Sequence, residues 1–193
     1  MFDSEIIEEF IKKITKLPNI SKKTAEKIVY WIFEQDYQTV GLLANSFKII
    51  KEKIILCEFC SRPKEGAECI ICNDPNRENT LLVIENLQIL DKIEKGEFYK
   101  GKYFVFNKKL NTQNEINENS DLIAKLINHS KNFNEVILGI SPNLEGEIVS
   151  TVLKGFLESN NINVTQIAIG IPIGASVDYI DQGTLNFSLK NRK

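Results

Sequence analysis

The sequence predicts an α/β protein built from several small parts, and three observations carry that prediction. Apolar residues recur at helical spacing over the first 55 residues, four cysteines crowd into residues 57–72, and short apolar runs alternate with helical ones from residue 81 onward. A chain of 193 residues has room for one domain or for two to three small modules. We place the boundaries of the parts at 1–53, 54–76, 77–170 and 171–193.

The first part is predicted to be helical. Its apolar residues form two stripes at helical spacing: Ile6, Ile7, Phe10, Ile11 and Ile14, then Ala25, Ile28, Val29, Ile32 and Phe33. Ser21 has the side chain of a helix N-cap and can begin the second helix. A third, shorter helical piece is expected around residues 39–47.

The turn at residues 17–25 joins the two helices, as in a helix-hairpin-helix. In that motif, backbone N–H groups of the hairpin and of the following helix bind a DNA phosphate without reading sequence. Residues 12–27 hold six Lys and one Glu, a local charge of +5 in a chain whose net charge is -2. This charge favours phosphate binding. The alternative interpretation is a solvated helical hairpin that is used only for packing. Asn19 and Ser21 stand where such hairpins usually have Gly, and because Ser adopts a left-handed backbone poorly, we expect an altered hairpin.

The four cysteines have the spacing C-x2-C-x8-C-x2-C, formed by Cys57, Cys60, Cys69 and Cys72. Two CxxC turns joined by eight residues allow four sulfurs to converge on one tetrahedral ion, and zinc is the natural occupant. Two disulfides or one redox-active pair are the alternatives. Four thiolates leave no open position for water or substrate, so the sequence predicts a structural zinc ion, one per chain, that contributes folding free energy.

The third part is predicted to be a parallel sheet covered by helices on both faces. Strands are expected at 81–85, 103–106, 135–140 and 164–170, and helices near 86–95, 120–131 and 145–159. The polar stretch 107–120 is expected to be a surface loop. Ligands of such sheets gather at the carboxyl ends of the strands, which is where Glu85 and the segment 139–147 fall.

Glu85 and the segment Gly139–Glu147 resemble the Toprim domain shared by topoisomerases, primases and related nucleases, over roughly residues 79–170. The resemblance implies a strand-end glutamate acting as acid or base and two aspartates, two residues apart, that hold magnesium. Here those aspartate positions are Ser141 and Asn143. Because magnesium prefers clustered carboxylates, strand-cutting chemistry is not expected. Weak magnesium binding by Glu85, Glu145 and Glu147 remains as the alternative, and with it a magnesium-dependent nuclease or topoisomerase-like enzyme.

The order of the parts is similar to that of the RecR family of bacterial recombination mediators. A helix-hairpin-helix, a four-cysteine zinc loop and a Toprim domain without its aspartates follow one another. The closing segment also resembles the family: IAIGIPIG at 167–174, then DYID at 178–181 and TL at 184–185. The resemblance implies a non-enzymatic DNA-repair protein that forms rings from dimers and tetramers. It further implies RecO, and in some cases RecF, as partners in loading RecA on single-stranded gaps covered by SSB.

The family resemblance also assigns residues. It implies DNA contacts by Lys22, Lys23 and Lys27, and a RecO-binding surface that includes Glu85, Glu145 and Glu147. The closing residues, from about 172 to 184, are implied to pack between protomers. The loop 107–114 departs from the family because it lacks Gly and Pro. If relatives use the backbone shape of this loop to contact DNA or a partner, the charges of Lys108 and Lys109 could serve that contact here.

The remaining residues and the composition indicate no catalytic site. We expect His129, the single histidine, on the surface or at a helix end, and Trp31 and Phe33 in the core or in a subunit interface. The net charge of -2 excludes a wholly basic nucleic-acid coat. The chain has no apolar run long enough to span a bilayer and no signal-peptide pattern at MFDSEIIEEF, so we expect a cytoplasmic protein without a membrane partner. A pure protein-interaction adaptor that never touches DNA is a third possibility, against which the lysine cluster argues.

Overall fold

The computed structural model describes residues 4–192 of the chain. The chain divides into two compact units, Met1–Ile55 and Leu56–Lys193. The mixed α/β class that the sequence predicts is confirmed, whereas the division into four parts stays a prediction.

The first unit is helical and consists of α1 (Glu5–Ile14), α2 (Lys22–Glu34) and α3 (Tyr37–Lys53). α1 and α2 pack around three buried residues, Ile11, Ala25 and Val29, which belong to the two predicted stripes. The expectation of a short third helix is wrong, because α3 has 17 residues. Asp36 caps its start by accepting from the Thr39 amide at 2.8 Å. The helix then continues beyond the apolar pattern through Lys and Glu, which are good helix formers.

The second unit contains a parallel sheet of four strands, which confirms the predicted parallel sheet. Its strands are β3 (Thr80–Ile84), β4 (Lys102–Val105), β5 (Glu135–Gly139) and β6 (Val164–Gln166), in the order β4-β3-β5-β6. Two short strands, β1 (Ile54–Leu56) and β2 (Pro63–Glu65), precede them. In the register, Ile84 is opposite Val105 on one side and Gly139 on the other, so the carboxyl ends of β3, β4 and β5 meet at one edge.

Helices alternate with these strands: α4 (Leu87–Gly96), α5 (Gln113–Glu118), α6 (Ser120–Ser130), α7 (Leu144–Glu158) and α8 (Gln182–Lys190), with a 3-10 turn at Val177–Tyr179. The prediction of a loop throughout 107–120 is wrong, because α5 lies within it. Its start is a capping box, in which the Thr112 side chain accepts from the Glu115 amide and the Glu115 carboxylate accepts from the Thr112 amide. The strand predicted at 164–170 is shorter than expected and ends at Gln166.

The two faces of the sheet are covered by different parts of the chain. On one face, β-strand residues such as Leu81, Phe104 and Leu138 pack with Leu126 of α6 and Leu153 of α7. On the other face, the core contains Leu90 of α4 together with three of the four cysteines and Ile71. The cysteine segment therefore forms part of the layer that covers the sheet.

The segment after β6 is exposed. Between residues 167 and 192 no residue is buried, and large apolar side chains such as Ile173, Val177 and Tyr179 lie in solvent. Among residues 4–192, no helix has both the length and the apolar character that crossing a membrane requires.

Candidate metal centre and nucleic-acid interface

The four predicted metal ligands converge. The Sγ atoms of Cys57, Cys60, Cys69 and Cys72 all lie within 4.8 Å of one another. The Cys57–Cys72 and Cys60–Cys69 sulfur pairs are 3.7 Å and 3.5 Å apart. A tetrahedral ion with metal–sulfur bonds of about 2.3 Å needs sulfurs about 3.8 Å apart. The cluster is therefore compatible with a structural metal ion held by four thiolates.

Each CxxC turn is closed by the same backbone hydrogen bond. The Ser61 amide donates to the Cys57 carbonyl at 2.9 Å, and the Asn73 amide donates to the Cys69 carbonyl at 2.9 Å. The Asn73 side chain also accepts from the Cys69 amide at 2.8 Å. These bonds bend both turns so that each directs two sulfurs to the same point.

The thiols of the cluster interact with one another. Hydrogen bonding from the Cys72 thiol lowers the pKa of Cys60 against the desolvation that burial causes, and the same hydrogen bond raises the pKa of Cys72. Because a thiolate and not a thiol is the metal-binding species, binding of an ion would release protons from this cluster.

The hairpin between α1 and α2 is formed without strain at Ser21. Asn19 takes the left-handed backbone, with φ of 63°, whereas Ser21 has an extended backbone with φ of -75°. The Ser21 hydroxyl accepts from the Thr24 amide at 3.1 Å, which confirms it as the N-cap of α2. The expectation that Ser21 would disturb the hairpin is wrong, because only the Asn position needs the left-handed region.

The three lysines assigned to DNA lie together at the start of α2. Lys22 and Lys23 occupy its first turn and Lys27 follows one turn later, and all three are exposed. The first turn of α2 contains no acidic residue. Positive side chains therefore add to the partial positive charge of the helix N-terminus.

The strand-end site is organised around Glu85, directly after β3. Its Oε2 accepts from the Ser141 amide at 3.1 Å and from the Ser141 hydroxyl. Asn143 caps α7 and accepts from the Gly146 amide at 2.8 Å. A Cβ on Gly146 would lie 2.0 Å from the Ser141 carbonyl oxygen, so only glycine allows α7 to start this close to the loop. Ser141 and Asn143, which stand where the sequence resemblance implies aspartates, thus hold the loop and the helix in place.

The other two predicted acids, Glu145 and Glu147, have different interactions from those of Glu85. Glu145 forms an ion pair with Lys109 at 2.9 Å, while Glu147 is exposed on α7. Glu85, Glu145, Lys108 and Lys109 border a concavity of about 210 Å³. The two carboxylates and the two lysines at this concavity therefore have opposite charges that cancel. Over residues 4–192, the cysteine cluster is the only group of three or more potential metal ligands.

His129 shows an arrangement that the sequence did not reveal. It lies in the last turn of α6, as expected, but its ring is not on the surface. The ring stacks on Phe59 of the first CxxC turn, with centroids 3.8 Å apart and an interplanar angle of 7°, and its buried Nε2 has no hydrogen-bond partner among the described residues. Burial, followed by the charge of Lys102, lowers the pKa of His129 to about 4.

The sequence reasoning also missed an ion pair beneath the cysteine segment. Arg77 Nη1 donates to Glu94 at 2.9 Å and to the Gly101 carbonyl at 2.8 Å, and the Tyr103 hydroxyl donates to Glu94 at 2.6 Å. Burial raises the pKa of Glu94, but hydrogen bonds from Arg77 and Tyr103 outweigh it, so the net shift is downward. In the sequence, Arg77 carried no signal of this pair because its partner is 17 residues away.

The predicted placement of Trp31 and Phe33 in the core of the chain is wrong. Their exposed fractions are 38% and 68%, respectively. The alternative, a subunit interface, stays a prediction.

Comparisons with known proteins identify the family. A model described as RecR, C-terminal, matches residues 170–193. The chain is 34% identical to recombination protein RecR of Mycoplasmopsis pulmonis, an alignment that covers 98% of this chain and 99% of that protein. It is 33% identical to recombination protein RecR of Francisella philomiragia, over 93% of this chain and 90% of the relative. It is 32% identical to that of Bifidobacterium animalis subsp. lactis, over 97% and 95%. With this identity over nearly its full length, a sulfur cluster suited to a metal ion and a parallel sheet behind it, the chain belongs to the RecR family of recombination proteins.

Proposed function

We propose that this chain is a non-enzymatic, DNA-binding recombination mediator. It forms a ring-like clamp and acts with RecO, and in some settings with RecF, to load RecA on single-stranded gaps covered by SSB. Membership of the RecR family supports a role in recombination and repair. The observation that carries the DNA-binding part is the exposed group of Lys22, Lys23 and Lys27 at the start of α2.

The hairpin supplies two kinds of phosphate contact. The backbone at the start of α2 presents N–H groups and a partial positive charge, to which the lysines add full charges. Such contacts position a protein on the phosphate backbone and do not read bases. This suits a mediator that acts at gaps of any sequence.

Charge reversal tests this interface. We expect Lys22→Glu with Lys27→Glu to weaken binding to gapped DNA, and to lower the slope of log affinity against log salt by about 1 for each phosphate that is no longer neutralised. Fluorescence anisotropy at several salt concentrations measures both quantities. A matched variant, Lys92→Glu with Lys100→Glu, reverses two exposed charges on the second unit and should keep the native slope. An unchanged slope in the hairpin variant would remove the hairpin as the DNA contact.

The non-enzymatic part rests on the strand-end site. Ser141 and Asn143 are neutral, and both already serve a local structural purpose, as a donor to Glu85 and as the cap of α7. A magnesium ion needs a cluster of carboxylates, which these side chains do not provide.

Assembly into a ring is supported by exposed apolar side chains. α3 buries none of its residues, although it carries Leu42, Leu43, Phe47 and Ile50, and the closing segment is similarly exposed. Apolar surfaces of this extent usually bind another protein surface. We expect Phe47→Asp to lower the mass measured by light scattering from that of a dimer or tetramer, whereas Phe98→Asp, at another exposed aromatic, should not. Equal masses would exclude α3 from the interface.

The partner surface is assigned to Glu85, Glu145 and Glu147. Glu147 offers the sharpest test because it is exposed and lies beside a concavity lined by Leu144, Ile148 and Val152. We expect Glu147→Lys to reduce RecO retention on the immobilised chain without changing DNA affinity. Retention equal to that of the native chain would remove Glu147 from this surface.

Zinc is the proposed ion of the cysteine cluster, with one ion per chain. Four thiolates close the coordination sphere, which is typical of structural zinc. Native mass spectrometry should show one zinc ion per protomer, and a different metal or none in protein purified without chelators would contradict this assignment.

A further inference from the structure

The cysteine segment contacts both ends of the edge strand β4. At the carboxyl end of the strand, the Val105 amide donates to the carbonyl of Phe59, in the first CxxC turn, at 2.8 Å. At the amino end, Lys102 Nζ donates to the carbonyl of Cys72, in the second CxxC turn, at 2.8 Å. Each turn that would hold the ion therefore also holds one end of β4.

β4 needs such a partner because it lies at the edge of the sheet. Its inner side pairs with β3, where Val105 is opposite Ile84, and its outer side would otherwise present unpaired backbone groups. The Phe59 carbonyl accepts a hydrogen bond from the Val105 amide, which faces outward. The next residue, Phe106, donates to the Ile84 carbonyl of β3 at 2.8 Å. Val105 is therefore bonded to the cysteine segment on the outer side of β4, and Phe106 to β3 on the inner side.

Side chains of the first CxxC turn anchor that turn on α6. The Phe59 ring stacks on His129 of α6, and Lys125 of the same helix lies 5.2 Å from the ring centroid. Lys125 also pairs with Glu58 at 3.0 Å. The neighbouring residues Glu58 and Phe59, inside the first CxxC, thus anchor the metal loop on α6 while the Phe59 carbonyl holds β4.

β4 leads directly into one wall of the strand-end site. Residues 106–109 follow it and border the concavity that also contains Glu85 and Glu145. A displacement of Val105 would act on the start of this wall, because Val105 is covalently joined to Phe106, the first residue of the wall.

We propose that the cysteine segment is a two-ended clamp on β4. Metal occupancy acts through this clamp to set the position of residues 106–109, which form one wall of the strand-end site. The proposal does not depend on the DNA-binding function, since it concerns only residues of the second unit. It assigns Phe59 and Lys102 as positioning residues: Phe59 accepts from Val105 through its backbone carbonyl, and the Lys102 side chain donates to the Cys72 carbonyl.

Hydrogen–deuterium exchange on the zinc-loaded protein at neutral pH tests the clamp. In Phe59→Ala, we expect amides of the peptide 102–109 to exchange about tenfold faster, since local opening follows the removal of anchoring interactions. The β5 peptide 135–139 should keep its native rate. Phe98→Ala removes an exposed aromatic elsewhere in the unit and should match the native protein in both peptides. Unchanged exchange at 102–109, or an equal rise in both peptides, would overturn the proposal.

Metal retention supplies the reciprocal readout, because coupling between two sites acts in both directions. Zinc transfer to a chelating dye should be about tenfold faster from Phe59→Ala than from the native protein, and about threefold faster from Lys102→Met. Lys102→Met removes only the ammonium group of a partly exposed side chain, so it keeps the test decisive if Phe59→Ala does not fold. Native transfer rates in Lys102→Met, together with native exchange at 102–109, would refute the clamp.

Discussion

Replacing His129 with Phe should remove a pH dependence of stability that the structure places at one ring. The native imidazole lies flat against Phe59, and its buried Nε2 has no partner among the described residues. Burial lowers the pKa of His129 from 6.5 to about 4, the charges of Lys102 and Lys125 act in the same direction, and Glu58 opposes them. A phenyl ring is likewise planar and aromatic, can keep the stack and does not titrate.

The sign and size of the effect follow from proton linkage. Between pH 6.5 and pH 4 the unfolded chain binds a proton that the folded chain excludes, so the free energy of unfolding falls as the pH falls through this window. A full shift of this size corresponds to about 3 kcal/mol. Because the ring is only partly buried, solvent screening reduces the expected loss to about 1 kcal/mol by pH 5.

Urea unfolding of the zinc-loaded proteins at pH 7.5, 6.5, 5.8 and 5.0 measures this loss. Protonation of the cysteines also weakens the native protein in acid, but both proteins share it, so the difference between the two curves isolates His129. We expect His129→Phe to equal or exceed the native stability at pH 7.5, since no polar atom is buried unpaired, and its advantage to grow by about 1 kcal/mol toward pH 5. A difference that stays constant across this range would refute the buried, neutral histidine.

Three further predictions concern the second unit. Cys72→Ser should release zinc and lower the free energy of unfolding, which metal analysis after gel filtration and thermal melting would detect; full zinc retention would contradict the four-thiolate centre. Gly146→Ala should cost about 2 kcal/mol in urea unfolding, because its Cβ would meet a backbone carbonyl, whereas Gly155→Ala in the same helix has open space and should gain up to about 1 kcal/mol. Equal effects of the two would argue against the close approach. Arg77→Met should cost about 2 kcal/mol by leaving the partly buried Glu94 without its partner, and adding Glu94→Leu should recover part of that loss; additive losses would show that the pair is not coupled.

The sequence predicts the parts of this protein whose signals are local. Cysteine spacing is enough to bring four sulfurs together, because two CxxC turns and their connection leave few other arrangements. Apolar runs separated by helical ones are enough for the parallel sheet, since parallel strands need crossover connections. The cap at Ser21 could also be predicted, because an N-cap depends on a residue three positions away.

What the sequence could not predict depends on contacts between distant residues. His129 stacks on a residue 70 positions earlier in the chain, and nothing in its neighbourhood distinguishes it from a solvated helix end. The bond from Val105 to the Phe59 carbonyl is a backbone contact and leaves no mark on side-chain composition. The helix α5 was a different kind of miss, because its capping box at Thr112 and Glu115 was present in the sequence but lay in a polar stretch without an apolar stripe.

Ser141 illustrates how the structure refines a sequence argument. The sequence showed only that a carboxylate was missing at this position. The structure adds that the serine donates to Glu85 from both its amide and its hydroxyl. A glutamate held in this way by a neighbouring loop has a structural explanation that does not require a metal ion.

DNA binding without catalytic activity can be tested in one experiment with gapped DNA and magnesium. The pure protein and the DNA are mixed, and the same samples are run on native and denaturing gels, with Lys22→Glu/Lys27→Glu and Glu85→Gln beside the native chain. We expect a shifted band on the native gel that the lysine variant loses, and intact strands on the denaturing gel. Strands that are cut or topologically altered by the native chain but not by Glu85→Gln would show instead that the chain is a Toprim enzyme.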